Sequence, residues 1–187
     1  MQFSLFGAES ALPDRADLDG LLLAGAQWVR DAGRARLSVL VEPGWREEAL
    51  RAELEARALP GEVADAEGGQ RVVRTEFRDD LLPAAKRWTR GAGLAAPTDL
   101  TLSSGGLRLW ALASGAPDKH GGYLLGTRDP DTPLHRRAGA QLASLGIAAI
   151  SITRPRPGWR VVGQRRVRRL AELVGDRPAG AGLTWPF

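Results

Sequence analysis

Few side chains in this sequence are placed for covalent or metal chemistry. There is no cysteine, so disulfides, thiolate metal sites and cysteine nucleophiles are excluded. The two histidines, His120 and His135, have no second ligand at metal spacing, and their expected roles are at the surface or in caps. Asp129-Pro130-Asp131 has carboxylates that could hold a cation, but this triplet before a helix is also turn and cap material. Asp79-Asp80 opens another helical pattern, where the helix dipole accounts for acidic residues. Neither a glycine-rich phosphate loop with its lysine nor a Gly-x-Ser-x-Gly elbow is present. The chemistry that stands out is cationic. Between Arg154 and Arg177 there are eight arginines against only Glu172 and Asp176. Arg154, Arg156, Arg160, Arg165, Arg166, Arg168 and Arg169 are the candidates to contact a phosphate backbone. A solvated helix face accounts for the same run equally well. Trp45 and Trp159 are candidates to stack on a base or partner, with packing at the edge of the core as the alternative.

The first residues offer recognition chemistry. In Gln2-Phe3-Ser4-Leu5-Phe6 the Gln2 amide can both donate and accept, and Leu5 and Phe6 can fill an apolar pocket. Burying each fully is worth roughly 1.5–3 kcal/mol before ordering costs. The run from Gly7 to Pro13 would serve as a tether. These five residues resemble the short peptide with which many bacterial replication and repair proteins dock on the DNA sliding clamp. That pattern is Gln, any residue (often Leu), Ser or Asp, Leu, Phe. The resemblance implies a sliding clamp as partner, bound by Gln2, Phe3, Ser4, Leu5 and Phe6. An edge strand is the alternative, because Phe3 and Leu5 alternate with Gln2 and Ser4.

The elements that must position these residues can be read from periodicity. Residues 17–31 read as a helix, with Leu18, Leu21, Leu22, Gly25 and Val29 on one face and Gly33 as its stop. A strand is expected over 36–42, a helix over 45–58, a hairpin over 62–77 and a helix over 79–89. Gly91 to Pro97 reads as a boundary. Beyond it strands are expected over 100–103, 107–113 and 123–127, with Gly105-Gly106 turning the first pair and a loop over 118–122. A helix over 132–145, a hairpin over 147–163 and a helix over 164–174 complete the pattern, and a loose tail follows, with Trp185 and Phe187 able to pin it.

Gly69-Gln70-Arg71-Val72-Val73 recurs as Gly158-Trp159-Arg160-Val161-Val162, 89 positions on, within similar surroundings. Two β-α-β-β-α units predict a duplicated α+β fold, with antiparallel sheets and helices packed on one face. The expected segments are 1–16 (peptide and linker), 17–92 and 98–176 (the two repeats) and 177–187 (tail). Gly122-Tyr123-Leu124-Leu125-Gly126-Thr127, Leu142-Ala143-Ser144-Leu145-Gly146-Ile147, Gly158 to Gly163 and Arg169 to Gly175 look like the later part of LAGLIDADG homing-endonuclease-type domains. Leu23-Ala24-Gly25 onward to Asp31-Ala32-Gly33 is faintly similar to the signature helix. Such domains pair two α-β-β-α-β-β-α halves, lay their sheets along DNA, and end each signature helix with a metal-binding acid. Asp31 is one position off that alignment, and the second half shows no such helix. The resemblance therefore implies a catalytically silent DNA-binding relative with no cofactor or metal. The alternative is an active endonuclease using Asp31 with Asp118, Asp129 or Asp131; a structural or regulatory module is the third reading.

Composition sets the remaining bounds. The chain has 187 residues, 43% hydrophobic and 26% charged, with a net charge of +4. That is ordinary for a globular protein. No apolar run approaches the ~18 residues of a membrane span, and a cytoplasmic, nucleoid-associated location is expected, with no membrane partner. Only Lys86 and Lys119 among the 26 basic residues are lysines, which dilutes any argument from arginine number alone.

Overall fold

A computed structural model describes residues 12–91, 93–119, 121–130 and 132–187. The peptide Gln2–Phe6, His120 and Asp131 lie outside the described residues. The elements follow as α1 (Leu18–Leu23), β1 (Gln27–Asp31), β2 (Arg34–Val41), α2 (Trp45–Ala56), β3 (Gly61–Asp65), β4 (Arg71–Thr75) and α3 (Leu82–Arg87). A short hairpin, β5 (Thr89–Arg90) and β6 (Gly93–Leu94), comes next. The second series is α4 (Ser104–Ser114), β7 (Gly115–Asp118), β8 (Gly122–Gly126), α5 (Pro133–Ser144), β9 (Ile150–Ile152), β10 (Gly158–Val162) and α6 (Gln164–Val174). Each series reads α-β-β-α-β-β-α. The sheets have the orders β1-β2-β4-β3 and β7-β8-β10-β9, with every pairing antiparallel.

Three expectations are corrected. First, the helix expected over 17–31 stops at Leu23, and Gln27–Asp31 is a strand. Gly25 (φ 108°) leaves the helix, and Ala32 and Gly33 (φ 45° and 83°) turn β1 tightly into β2. Second, the strands expected around 100–113 are replaced by one helix, α4, with Gly105-Gly106 inside its first turn. Ser103 caps it by accepting from the Gly106 amide at 2.9 Å. Its residues from Leu107 to Ser114 are buried apart from Arg108, which is the pattern of a central helix and not of a strand. Third, a strand absent from the expectations, β7, pairs with β8, and the loop expected at 118–122 joins the two at the paired ends Asp118 and Gly122.

The glycines that read as a turn serve helix packing. A Cβ on Gly20 would sit 1.8 Å from the Gly106 carbonyl oxygen, and one on Gly105 would sit 2.4 Å from the Asp17 carboxylate. So α1 and α4 cross at backbone contact, and α4 also touches α2, α6 and both sheets. An ion-pair chain ties this crossing together. Asp17 accepts from Arg57 (2.7 Å) and Ser103 (2.5 Å), and Glu53 bridges Arg57 and Arg108. Asp17 and Arg57 are both buried, so each charge is compensated only by the other members of the chain.

The recurring pentapeptide is one residue out of structural register. Val73 and Val161 are the buried valines of β4 and β10, whereas matching the letters aligns Val72 with Val161. A slip of one reverses strand faces, so the two halves repeat in element order and not through this pentapeptide.

Candidate nucleic-acid interface

Strand register sorts the sheet faces. Ala35, Leu37, Val39 and Val41 of β2 and Val73 of β4 are buried against the helices. Their neighbours Arg34, Arg36, Ser38 and Leu40, with Val72 and Arg74 opposite the last two, face outward. In the second sheet Tyr123, Leu125 and Val161 face the helices, and Leu124, paired with Arg160, faces out. The outer arginines are held in place. Arg34 pairs with Asp31 (3.7 Å), Arg74 with Glu62, and Arg160 with Asp118 (2.9 Å). Arg36 lies over the Phe77 ring at 4.5 Å.

Charge is concentrated at the ends of the two central helices. At the α4 end, the Arg46 guanidinium donates to the carbonyls of Ala111 (3.2 Å), Leu112 and Gly115. Arg156 donates to the Ser114 carbonyl at 2.9 Å. The Leu112 and Ser114 carbonyls belong to the last helical turn, at the negative end of the dipole, and the Ala111 carbonyl accepts from the Gly115 amide as well. Burial lowers the Arg46 pKa most, and nearby Arg156 lowers it further, against Tyr123 and Glu42, which raise it. An arginine keeps its charge under such shifts. At the α1 end, Arg128 lies directly against Gly25, and the Gln27 amide oxygen accepts from its guanidinium in the orientation its neighbours require. Arg128 also approaches Asp129 at 3.9 Å. A cleft of about 340 Å³, lined by Gln27, Trp28, Arg30, Thr89 and Arg128, opens beside it. Arg46, in the first turn of α2, thus reaches the end of α4, and Arg128, in the β8–α5 connection, lies against Gly25 beyond the end of α1.

The residues singled out in the sequence are not gathered into one site. Arg156 reaches the α4 end and Arg160 lies on the outer sheet face. Arg154 is exposed in the β9–β10 connection. Arg165, Arg166, Arg168 and Arg169 lie on α6, which packs on α4 and on the helix-facing side of the second sheet. Asp31 ends β1 four residues beyond Gln27, about 13 Å from the start of that strand at 3.3 Å per residue. Asp118 ends β7 in the same way, paired with Arg160. Trp159 does not present a free stacking face. It stacks on His135 at 4.9 Å, over Gly139, and donates to the His135 carbonyl. Trp45 meets Trp185 edge-on at 6.2 Å. His135, expected at the surface or in a cap, is buried with Thr127 Oγ1 2.9 Å from Nδ1 and Ser151 Oγ 2.8 Å from Nε2. Arg46 and Arg128 escaped sequence reading because only the crossing of the halves brings them to the helix ends.

No family model matches the chain, and no curated protein sequence matches it. Solved structures do. The chain superposes on the N-terminal LAGLIDADG domain of DUF199/WhiA with a TM-score of 0.58 at 13% identity, covering 91% of this chain and 88% of that one. The fold is LAGLIDADG-like. Full-length DUF199/WhiA from Thermatoga maritima gives 0.57 at 14% identity over 87% of this chain, which spans 55% of that protein's length. The homing endonuclease I-WcaI, bound to its DNA recognition sequence, gives 0.58 at 8% identity, covering 84% of this chain and 80% of its own.

This LAGLIDADG-like chain can be tested for the metal-binding acids that the resemblance places at the helix ends. After α1 come Ala24, Gly25 and Ala26, and α4 ends in Ser114 and Gly115. The α4 end is contacted by the guanidiniums of Arg46 and Arg156, whereas beyond α1 the backbone and Cβ of Arg128 lie against Gly25, its guanidinium reaches Gln27, and Asp129 lines the adjoining cavity. Among the described residues no group of three or more His, Asp or Glu could hold a metal ion. The residues at this position do not fit a divalent cation. Also among the described residues, no helix is long and apolar enough to cross a membrane.

Proposed function

We propose that this protein binds DNA without cutting it and is held at replicating or repaired DNA by its N-terminal peptide. The observation that carries the silent reading is that Ala24, Gly25 and Ala26 follow α1 and Ser114 and Gly115 end α4, with no carboxylate among them and with the Arg46 and Arg156 guanidiniums on the α4 end. Metal-assisted phosphodiester hydrolysis needs converging carboxylates to hold the cation. Guanidiniums at that place repel a cation and attract a phosphate. The duplex would lie along the outer sheet faces, where Arg34, Arg36, Arg74 and Arg160 stand. The pairs of Arg34 with Asp31 and of Arg74 with Glu62 are surface pairs of small worth, which a phosphate can displace, while Arg36 lies over Phe77 and Arg160 is held by the more buried Asp118. Support for DNA as the ligand comes from the fold shared with I-WcaI, whose structure holds DNA.

Clamp docking rests on Gln2-Phe3-Ser4-Leu5-Phe6 alone. The test is binding of the full-length protein to a purified bacterial sliding clamp beside the double variant Leu5→Ala/Phe6→Ala. Micromolar binding lost in a double variant that melts like the wild type supports docking. No binding, or a double variant that unfolds, assigns Gln2–Phe6 to the protein's own fold.

A further inference from the structure

Helix α6 is charged against its own dipole. Arg165, Arg166, Arg168 and Arg169 fall in its first six positions, its first turn has no acidic residue, and Gly163 caps it without a side chain. Cations near a helix N-terminus are disfavoured, and like charges three or four residues apart repel, as Arg165/Arg168, Arg165/Arg169 and Arg166/Arg169 do. By contrast, α2 opens with Glu47 and Glu48. Arg169 pairs with Glu172 at 3.6 Å and Arg166 donates to the Val162 carbonyl at 3.3 Å. Arg165, Arg166 and Arg168 are exposed and have no carboxylate partner among the described residues. An open groove of about 720 Å³ runs along them past Gly146, Val162 and Gly163. This groove is on the opposite side of the second sheet from Arg160. Leu170, Leu173 and Val174 anchor α6 against α4, β8 and β10, while Arg160 points outward from β10.

We propose that the arginine face of α6 binds a phosphodiester backbone separately from the sheet faces, so that one molecule holds two DNA segments. This rests on the DNA-binding reading above and extends it. A polyanion supplies the charge that the helix lacks, at the place where its dipole and its repelling arginines both call for one. Arginine, with its planar fork, suits the paired oxygens of a phosphate.

The test uses full-length protein bound to an immobilised 20-base-pair duplex, with a second, labelled duplex added in low salt. Wild-type protein captures the second duplex. R165Q/R166Q/R168Q still binds the first duplex and captures at least ten-fold less of the second, whereas R165K/R166K/R168K retains capture. The glutamine variant also melts close to the wild type, because it removes repulsion and loses only the long, exposed Arg166–Val162 hydrogen bond. Undiminished capture by the glutamine variant overturns the proposal, as does wild-type protein that binds the first duplex and never a second. Release of the second duplex by polyglutamate as readily as by unlabelled duplex overturns it in favour of an acidic protein partner. If no duplex binds at all, the DNA-binding reading itself falls, which is a distinct result.

Discussion

Arg46→Met tests whether a guanidinium holds the end of the central helix. The substitution keeps an unbranched apolar stem and removes all three donated hydrogen bonds, to Ala111, Leu112 and Gly115. It also removes the stacking of Arg46 over the Trp45 ring at 4.6 Å. A hydrogen bond from a charged group contributes about 1.5–3 kcal/mol. The site is only partly buried, so water can rehydrate part of the exposed carbonyl surface. Discounting the sum by about half leaves a loss of roughly 3 kcal/mol. For a chain of this size that corresponds to a fall in Tm of about 6–12 °C. Calorimetry of the wild type, Arg46→Met and Arg46→Lys gives the answer. Lysine keeps the charge at the dipole but lacks the fork, so it should fall between the other two. A shift below about 2 °C for Arg46→Met would refute the reasoning, because the helix end would then be held by something else.

Further expectations follow from the same physical reading. Gly20→Ala drives a methyl into the Gly106 carbonyl, where neither backbone can yield cheaply, and should cost about 3 kcal/mol or more by urea unfolding; a neutral effect would mean that the helices do not cross there. Arg57→Met strands the buried Asp17 charge and should cost about 3–5 kcal/mol, far more than Arg51→Met, whose partner Glu48 is exposed. Tyr123 is the only tyrosine in the chain, so tyrosinate absorbance reports it alone. Burial raises its pKa above the ordinary value of about 10, against the lowering effects of Arg46 and Arg156. A raised folded pKa favours the protonated form, so stability is intact below pH ~10 and falls as pH rises above it. Native protein should show no tyrosinate at pH 11, and the signal should appear with unfolding; native-state titration near pH 10 would contradict the burial of this ring.

Parts of the architecture that local periodicity controls were legible in the sequence. Helix α6 was read at its observed limits, and α2, α5 and the β3–β4 hairpin differ only at their ends. The central crossing was not legible. Gly105-Gly106 is a turn signal in isolation and becomes helical because Gly20 and Asp17 pack onto it. The same misreading hid the second signature-type helix and, with it, the first helix and strand of the second half. Strand β1 was absorbed into a helix because Leu18, Leu21, Leu22, Gly25 and Val29 keep helical spacing across the break at Gly25. The arginine run was visible as charge, but sequence gives no layer. Helix α6 carries four of its members to one side of the second sheet and β10 carries Arg160 to the other. The arginines at the helix ends, Arg46 and Arg128, are isolated residues in sequence and are brought there only by the pairing of the two halves.

For this LAGLIDADG-like chain we propose DNA binding along the outer sheet faces, with guanidiniums and no metal-binding acid at the end of α4. The most direct measurement follows binding and cleavage of plasmid DNA together, in magnesium and in manganese, for the wild type and Arg156→Gln. The account predicts salt-sensitive binding, no nicking with either metal, and weaker binding by Arg156→Gln. Metal-dependent cleavage, or no binding at low salt, would contradict it.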